Sequence, residues 1–521
     1  MPGISTAPGG TFKYYLCLSS PAIYTEVAFK HNPRKMQMSV LIPLIVILFL
    51  ILLFIRYLML NKKDHQHQNT PPCPDSGEFA EKLSTLIQIP TVSWTDHEKT
   101  DIKQLIKFQE KLVDLFPLVH EKLEREVPDP YGIVYKWAGS DPLEEPVLFL
   151  AHYDVVPAQE QGDESWHHPP FSGIIENGEL WGRGTLDIKS QLTFLLETVE
   201  RLLHEGFQPK RSLYFAFGGD EEISGTNGAQ KLAASFKDKG LKFAMIMDEG
   251  GVIAQHMLSF LGDKPAALIG LAEKGFVTFK ISAHGESGHS SMPPSTGTVV
   301  STLAQGISRI CSRRQPSRLT PQIIGMLQGF VPWVPLPLGL VFANLWLFNP
   351  LIRLIFAGNK STDSLIRTSQ AFTVIKSGEQ ENIIPGEASC LVNHRILPGD
   401  TIESLKQRHM KKLKGLNLTI EDAGNWPSND PIKPEKDENQ GFYWVKEALK
   451  ESHPEVVAVP FLVNGSTDSK YYRDLSGQII RFTPLILNQE DINSIHGINE
   501  KVSLENLERA LTFYRNLLFK L

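Results

Sequence analysis

Cysteine is scarce in this chain. Its 521 residues hold four, Cys17, Cys73, Cys311 and Cys390, and none forms a CxxC pair. That excludes a disulfide scaffold and argues against thiolate metal ligands. Cys311 and Cys390 read as free thiols, with a bond between them reserved for an oxidising compartment. Excess positive charge is also missing. The formal net charge is -6 and there is no long basic run, so no nucleic-acid partner is expected. No internal repeat is present. The length allows two domains and a large core, and 42% hydrophobic with 21% charged residues is ordinary for a globular protein.

Charge is absent altogether from two stretches. Met36 to Ile55 is one, flanked by Lys35 and Arg56. At about 1.5 Å per residue a helix of this length spans roughly 30 Å, the thickness of the bilayer hydrocarbon. Residues 36–60 therefore read as a transmembrane signal anchor. An N-terminal segment, 1–35, precedes it, and a polar, proline-containing linker, 61–77, follows. Lys30, Arg34 and Lys35 before the span balance Arg56, Lys62 and Lys63 after it, so charge does not set the orientation. The sequons at Asn359, Asn417 and Asn464 suit a lumenal or extracellular catalytic part. Initiation at Met36 or Met38 would turn the span into a signal sequence and the protein into a secreted one.

The second uncharged stretch is the 34 residues between Arg318 and Arg353. Pro321, Pro332, Pro335, Pro337 and Pro350 argue against a regular spanning helix. Two readings stand: a core or dimer-interface segment, or an apolar surface that touches a membrane or a lipid-like substrate.

Between these stretches, apolar runs alternate with amphipathic ones. Residues 146–156 and 211–218 read as buried strands, 242–247 as another, and 189–205 as a helix with one apolar face. That alternation predicts an α/β sheet with crossover connections. Near Glu273 the pattern changes. GFVTFKISAHG reads as a half-exposed strand and ASCLVNHRIL as a second, which suggests a smaller inserted α+β domain. The expected division is 78–272 and 425–521 for the α/β domain and 273–424 for the insert.

Polar residues gather where the apolar runs end. His152 and Asp154 lie in LAHYDVVP, Asp187 in GRGTLDIK, Glu221 and Glu222 in GGDEE, Asp248 in MDEGG, and His496 in SIHGINE. In α/β sheets such strand ends gather the chemistry. Imidazoles with carboxylates form a donor set suited to Zn²⁺. In the H-x-D pair, the imidazole can bind a metal while the carboxylate holds its other nitrogen. Asp187 has two oxygens, one for each of two cations, and also suits a helix cap. Of the adjacent Glu221 and Glu222, one can ligate while the other takes a proton from water. Asp248 is an oxygen-ligand candidate, with Glu249 the alternative within the same motif.

These motifs, together with GHSSMPP, resemble in order and spacing those of the dinuclear zinc aminoacylase/carboxypeptidase S family, from about residue 78 to the end. The resemblance implies an α/β zinc-peptidase catalytic domain with an inserted α+β lid and dimerisation domain. It implies two Zn²⁺ bridged by Asp187, with His152 and Glu222 on one side and Asp248 and His496 completing the set. Glu221 would be the general base and later the acid, and Asp154 would orient His152. His289 would reach the partner subunit's site in a homodimer. Asn382, Arg395, Gly465 and Ser466 would hold the substrate carboxylate and its surroundings.

The apolar insert with NLWLFNPLI and the ending IHGINEKVS narrow the resemblance to the branch that handles N-fatty-acyl amino acids. It implies cleavage to fatty acid and amino acid, and the reverse condensation. The alternative is a carboxypeptidase or dipeptidase acting on peptides. Residues 319–352 are the candidate for acyl-chain or membrane contact. Two positions depart from the family pattern: Ile188 stands where an acidic residue is common, and Gly219 where close relatives often carry His.

Overall fold

The computed structural model describes residues 33–62, 76–158, 165–424, 426–434 and 439–521. Most of the 1–35 segment and of the 61–77 linker, with Cys17 and Cys73, lies outside the described residues. Cys311 is an exposed free thiol and Cys390 a buried one.

The predicted alternation is realised as a ten-stranded mixed sheet. By first residue its strands run in the order Glu124, Gly132, Leu213, Val147, Met245, Ile479, Ala266, Ile253 and Ile486, and Val457–Val463 pairs with Ala266–Glu273. The central strands Leu213–Gly218, Val147–His152, Met245–Asp248 and Ile479–Arg481 are mutually parallel. They are buried almost throughout, which explains why they read as continuous apolar runs rather than alternating ones. Helices Ser76–Ile87, Lys189–His204 and Leu504–Lys520 pack together on this core. Because the three strands are parallel, His152, Gly218 and Asp248 all end at the same edge of the sheet.

A four-stranded antiparallel sheet forms the inserted domain. Its order is Ser369–Ser377, Glu387–Ile396, Gly275–His284, Thr419–Asp422. The chain passes from the large sheet to the small one at Lys274, between strands Ala266–Glu273 and Gly275–His284. One expectation is corrected here. Gly275–His284 is not half-exposed: it is an inner strand, paired on both edges and buried along nearly its whole length. Part of the 273–424 stretch also packs on the large sheet. Leu319, Ile323, Phe330 and Phe342 share an apolar cluster with Val457, Val459 and Leu462 of the large sheet. The insert thus rests on the edge of the catalytic sheet as helices Pro321–Gly329, Leu336–Ala343 and Leu345–Phe356; Pro332 and Pro335 separate the first two, the last two part at Asn344, and Pro350 lies inside the third.

Among the described residues, one helix, Leu41–Leu60 within Pro33–Leu60, is by itself long and apolar enough to cross a membrane. Its mean hydropathy is 2.9, with none of it buried in the fold.

Candidate metal centre

At the common edge of the parallel strands, one carboxylate lies between two imidazoles. Asp187 Oδ1 is 3.1 Å from His152 Nε2, and Asp187 Oδ2 is 3.0 Å from His496 Nε2. Glu249 Oε1 is 3.3 Å from His152 Nε2, and Glu222 Oε2 is 3.1 Å from His496 Nε2. Each imidazole nitrogen therefore faces one oxygen of Asp187 and one glutamate. Ligand atoms of His152, Asp187 and Glu222, and of His152, Glu221 and Glu249, lie within 4.8 Å of one another. This N/O donor set fits divalent cations, and the opposed oxygens of Asp187 suit a carboxylate shared between two of them.

The local folding that builds this geometry is specific. His152 ends its strand, and its Nδ1 lies 3.0 Å from the Asp154 carbonyl and 3.4 Å from that residue's Oδ1. This contact fixes which ring nitrogen faces the cluster. The Asp154 carboxylate has a second role. It accepts the backbone N–H groups of Glu221 (3.0 Å) and Glu222 (3.1 Å) and the Ser93 hydroxyl (2.6 Å). One buried side chain thus places both glutamates. Asp187 follows a turn in which Gly184 has φ of +94°, and a Cβ there would come within 2.9 Å of Val155. Only glycine suits that position.

The sequence reading missed the brace beneath this turn. Buried Glu500 accepts the backbone N–H groups of Gly184 (3.0 Å), Leu186 (2.7 Å) and Asp187 (3.2 Å) through one oxygen. Its other oxygen pairs with Arg183, which donates to the Gly497 carbonyl at 2.6 Å. Glu500 ties the Asp187 turn to the His496 loop. Its only signal was its place in INEK, four residues after His496.

The structure favours Glu249 over Asp248 as the facing carboxylate of the MDEGG motif. Asp248 is 2% exposed, and its oxygens accept the backbone N–H groups of Glu249 (2.9 Å) and Ser469 (2.8 Å). It acts as a backbone clamp, while Glu249 extends toward His152. Glu249→Gln is expected to lower metal affinity about 10-fold or more, and Asp248→Asn to cost stability with far less effect on affinity. Metal titration followed by calorimetry checks this, and equal losses of affinity would contradict the assignment. The ligand atoms of His152, Asp187 and Glu222 come together as the resemblance implies, and the shortest contacts add Glu249 beside His152 and place His496 beside Glu222.

The remaining predicted residues spread around this centre. Arg395 lies over the Phe276 ring at 4.9 Å; burial, the largest influence, lowers its pKa, while the charges of Glu273 and Glu221 oppose the shift. His289 and Asn382 sit on an exposed two-stranded element, where Ser290 N–H donates to the Asn382 carbonyl. The His289 ring is 2.8 Å from the Ser291 hydroxyl and does not join the cluster. Gly465 is exposed and Ser466 half-buried on the loop after Val463. Both departures from the family pattern have a packing reason. Ile188 is buried in the main core, and a Cβ at Gly219 would fall 2.7 Å from the Tyr153 ring.

Crowding shapes the electrostatics. Burial pushes Glu222 and Glu249 up to about 7, with the Asp187 charge adding in each case. Glu221 is raised well above the carboxylate range, first by burial, then by Glu249, Asp468 and Glu222 against the opposing His152. Hydrogen bonds to Asp187 and Glu222 lift His496 to about 10. Asp468 was also missed; burial raises it, and Gly218 and Gly225 leave the space it fills.

Metal and protons should therefore compete. Glu222 and Glu249 have folded-state values above their unfolded ones, so in the metal-free protein their stabilising contribution is present in acid and lost as pH rises through 7. Metal displaces those protons, so the rise in Tm on adding Zn²⁺ should be larger at pH 8 than at pH 5.5, with affinity about 10-fold or more weaker per carboxylate at the lower pH. A gain that is equal or larger at pH 5.5 would contradict this.

The model of Peptidase family M20/M25/M40 matches residues 148–520. The N-fatty-acyl-amino acid synthase/hydrolase PM20D1 of Bos taurus is 36% identical over 442 residues, 83% of this chain and 86% of that protein. The "Probable carboxypeptidase S-like 2" of Dictyostelium discoideum is 34% identical over 445 residues, 85% of this chain and 84% of its own. In fold, the M20 family metallo-carboxypeptidase Sso-CP2 from Sulfolobus solfataricus is similar with a TM-score of 0.61 at 16% identity, covering 85% of this chain and 98% of that one. The chain belongs to peptidase family M20/M25/M40.

Proposed function

We propose that this chain is a dinuclear zinc amidohydrolase that cleaves N-fatty-acyl amino acids to fatty acid and amino acid, and runs the reverse condensation. The observation that carries the hydrolase reading is Asp187, whose two oxygens lie 3.1 and 3.0 Å from two imidazoles, with Glu221 beside one of them. The substrate class is supported by the relative at 36% identity whose name states that activity. Two Zn²⁺ would be held by His152, Asp187 and Glu249, and by His496, Asp187 and Glu222. When bound, they supply Lewis acidity and lower the pKa of water.

The chain's own residues do the rest. Glu221 is buried, and its carboxylate lies beside His152 and Glu249, placed to take a proton from water and return it to the leaving nitrogen. Asp154 keeps it in place through the N–H groups at 221 and 222. Arg395 offers a planar fork to the α-carboxylate. Asn382, Gly465 and Ser466 would border the substrate. His289, exposed on its short strand, would serve the site of a second copy in a homodimer and stabilise the oxyanion there. The Leu41–Leu60 helix would anchor the enzyme by a single pass, with the catalytic part lumenal or extracellular.

The experiment is a substrate comparison on the full-length protein: a long-chain N-acyl amino acid against an N-blocked dipeptide. The proposal expects a higher kcat/KM for the acyl amino acid. Preference for the dipeptide would favour the peptidase reading, which rests on the carboxypeptidase S-like relative.

A further inference from the structure

The surface left by the insert is the wrong way round for water. Helix Leu345–Phe356 buries Leu345 and Ile352. Its outer face carries Trp346, Pro350 and Leu354 in one row and Leu347, Leu351 and Ile355 in the next. Leu354 is 72% exposed and Trp346 52%. A surface helix in water presents charge at such positions. Leu336 and Pro337 of the preceding helix are exposed beside it, and the two helices meet at a bend of 109°.

What this surface faces is indicated by its neighbour. The Leu41–Leu60 helix docks on the insert through its second half. Phe49 meets Trp346 edge-on at 6.1 Å, Arg56 donates to the Ala343 carbonyl at 2.8 Å, and the Asn344 amide donates to the Leu53 carbonyl at 3.1 Å. Tyr57 and Leu60 pack against the insert's cluster. From Phe49 to the end of the helix is about 16 Å, roughly half the hydrocarbon thickness. If Leu41–Leu60 spans the bilayer, whatever packs alongside Phe49 stands at mid-bilayer depth.

We propose that helices Leu336–Ala343 and Leu345–Phe356 form a hairpin embedded in one leaflet of the bilayer, beside the single span. The inference rests on the reading of Leu41–Leu60 as a span. Asn344, Trp346 and Arg353 meet the condition lipid imposes on polar side chains, a partner within the protein. Asn344 also bonds the Leu340 carbonyl (2.9 Å), the Trp346 ring N–H donates to Asn344 (3.3 Å), and Arg353 turns inward to the Ser317 hydroxyl (3.0 Å). The head-group level is marked as well. Where the span ends, Leu60, Lys62, Trp333, Lys446 and Lys450 line a cavity of about 290 Å³, and Lys264 lies 4.3 Å from the Trp333 ring centre. Tryptophan and lysine concentrate at that boundary. The hairpin therefore fixes the catalytic domain against the membrane, in contact with the phase in which fatty-acyl amphiphiles dissolve.

The test is nitroxide accessibility in phosphatidylcholine vesicles. The full-length protein would carry Ser at Cys17, Cys73 and Cys311, with one new cysteine at a time: Leu351→Cys, Leu354→Cys, Ile47→Cys in the span, and Leu143→Cys as a water-facing control that is 92% exposed. Each labelled protein is first required to melt like its parent. The expected result is that labels at 351 and 354 behave like that at 47, with high collision rates for oxygen and rates for a water-soluble nickel chelate about tenfold below those at 143. Nickel rates matching those at 143 would overturn the proposal. So would low rates for both reagents at 351 and 354, which would mean that a second copy covers the face. A water-exposed label at 47 would defeat the span reading and the hairpin with it. None of these outcomes depends on which amide the enzyme cleaves.

Discussion

Glu221→Gln is expected to lower kcat by roughly 10³-fold while the protein keeps its metal and its fold, the scale of loss typical when a general base is removed. The change keeps size and hydrogen-bonding capacity and removes only the ability to accept a proton. Glu221 is suited to that task by position. Burial raises its pKa, and its backbone is pinned by Asp154, so the carboxylate cannot retreat into water. Metal content and a thermal melt separate this result from collapse of the site. Turnover within a few-fold of the parent would remove Glu221 from the proton transfer, and a loss of metal would make it a ligand instead.

Glu500→Ala is expected to cost about 3–5 kcal/mol of stability, because Arg183 would be left buried without its counter-charge. Arg183 is 1% exposed and Glu500 wholly buried. The variant should also bind metal about 10- to 100-fold more weakly, the cost typical of losing a group that orients ligands. Three N–H groups of the Asp187 turn lose their shared acceptor, and Arg183, which holds Gly497 beside His496, loses its partner. Glu179→Ala is the control. Glu179 pairs with Lys501 at 2.8 Å, but both side chains are about 30% exposed, and such a pair contributes under about 1 kcal/mol. Equal effects from the two variants, or normal metal affinity in Glu500→Ala, would show that the brace does not position the ligands.

The difference between these glutamates shows what a sequence can disclose. His152, Asp187, Glu221, Glu222 and His496 were legible because they close apolar runs or sit in glycine-flanked turns, and parallel strands deliver such ends to one edge. The α/β class was legible for the same reason, since buried parallel strands read as unbroken apolar runs. Glu500 was not, because its work is done across 313 to 316 residues of separation through backbone N–H groups that carry no sequence signature. Asp248 and Glu249 could not be ranked from the string MDEGG. The choice depends on Ser469, 221 residues away, whose N–H claims Asp248. The same holds for Gly275–His284: alternation suggested one wet face, but Val277, Phe279 and Ile281 join an apolar cluster on one face and Phe276 packs against Trp426 on the other. The insert's prolines foretold the break before Leu336, but not the one at Asn344, and Pro350 sits within a helix. That its outer face would lie beside Phe49 required the fold.

The most direct test of the account is zinc titration of the chelated full-length enzyme, with release of fatty acid from a long-chain N-acyl amino acid as the readout. Turnover is expected to vanish on chelation and to return fully at two equivalents of Zn²⁺ per chain, in the parent and in Asp248→Asn but not in Glu249→Gln. Undiminished turnover in protein shown to be free of metal would contradict it.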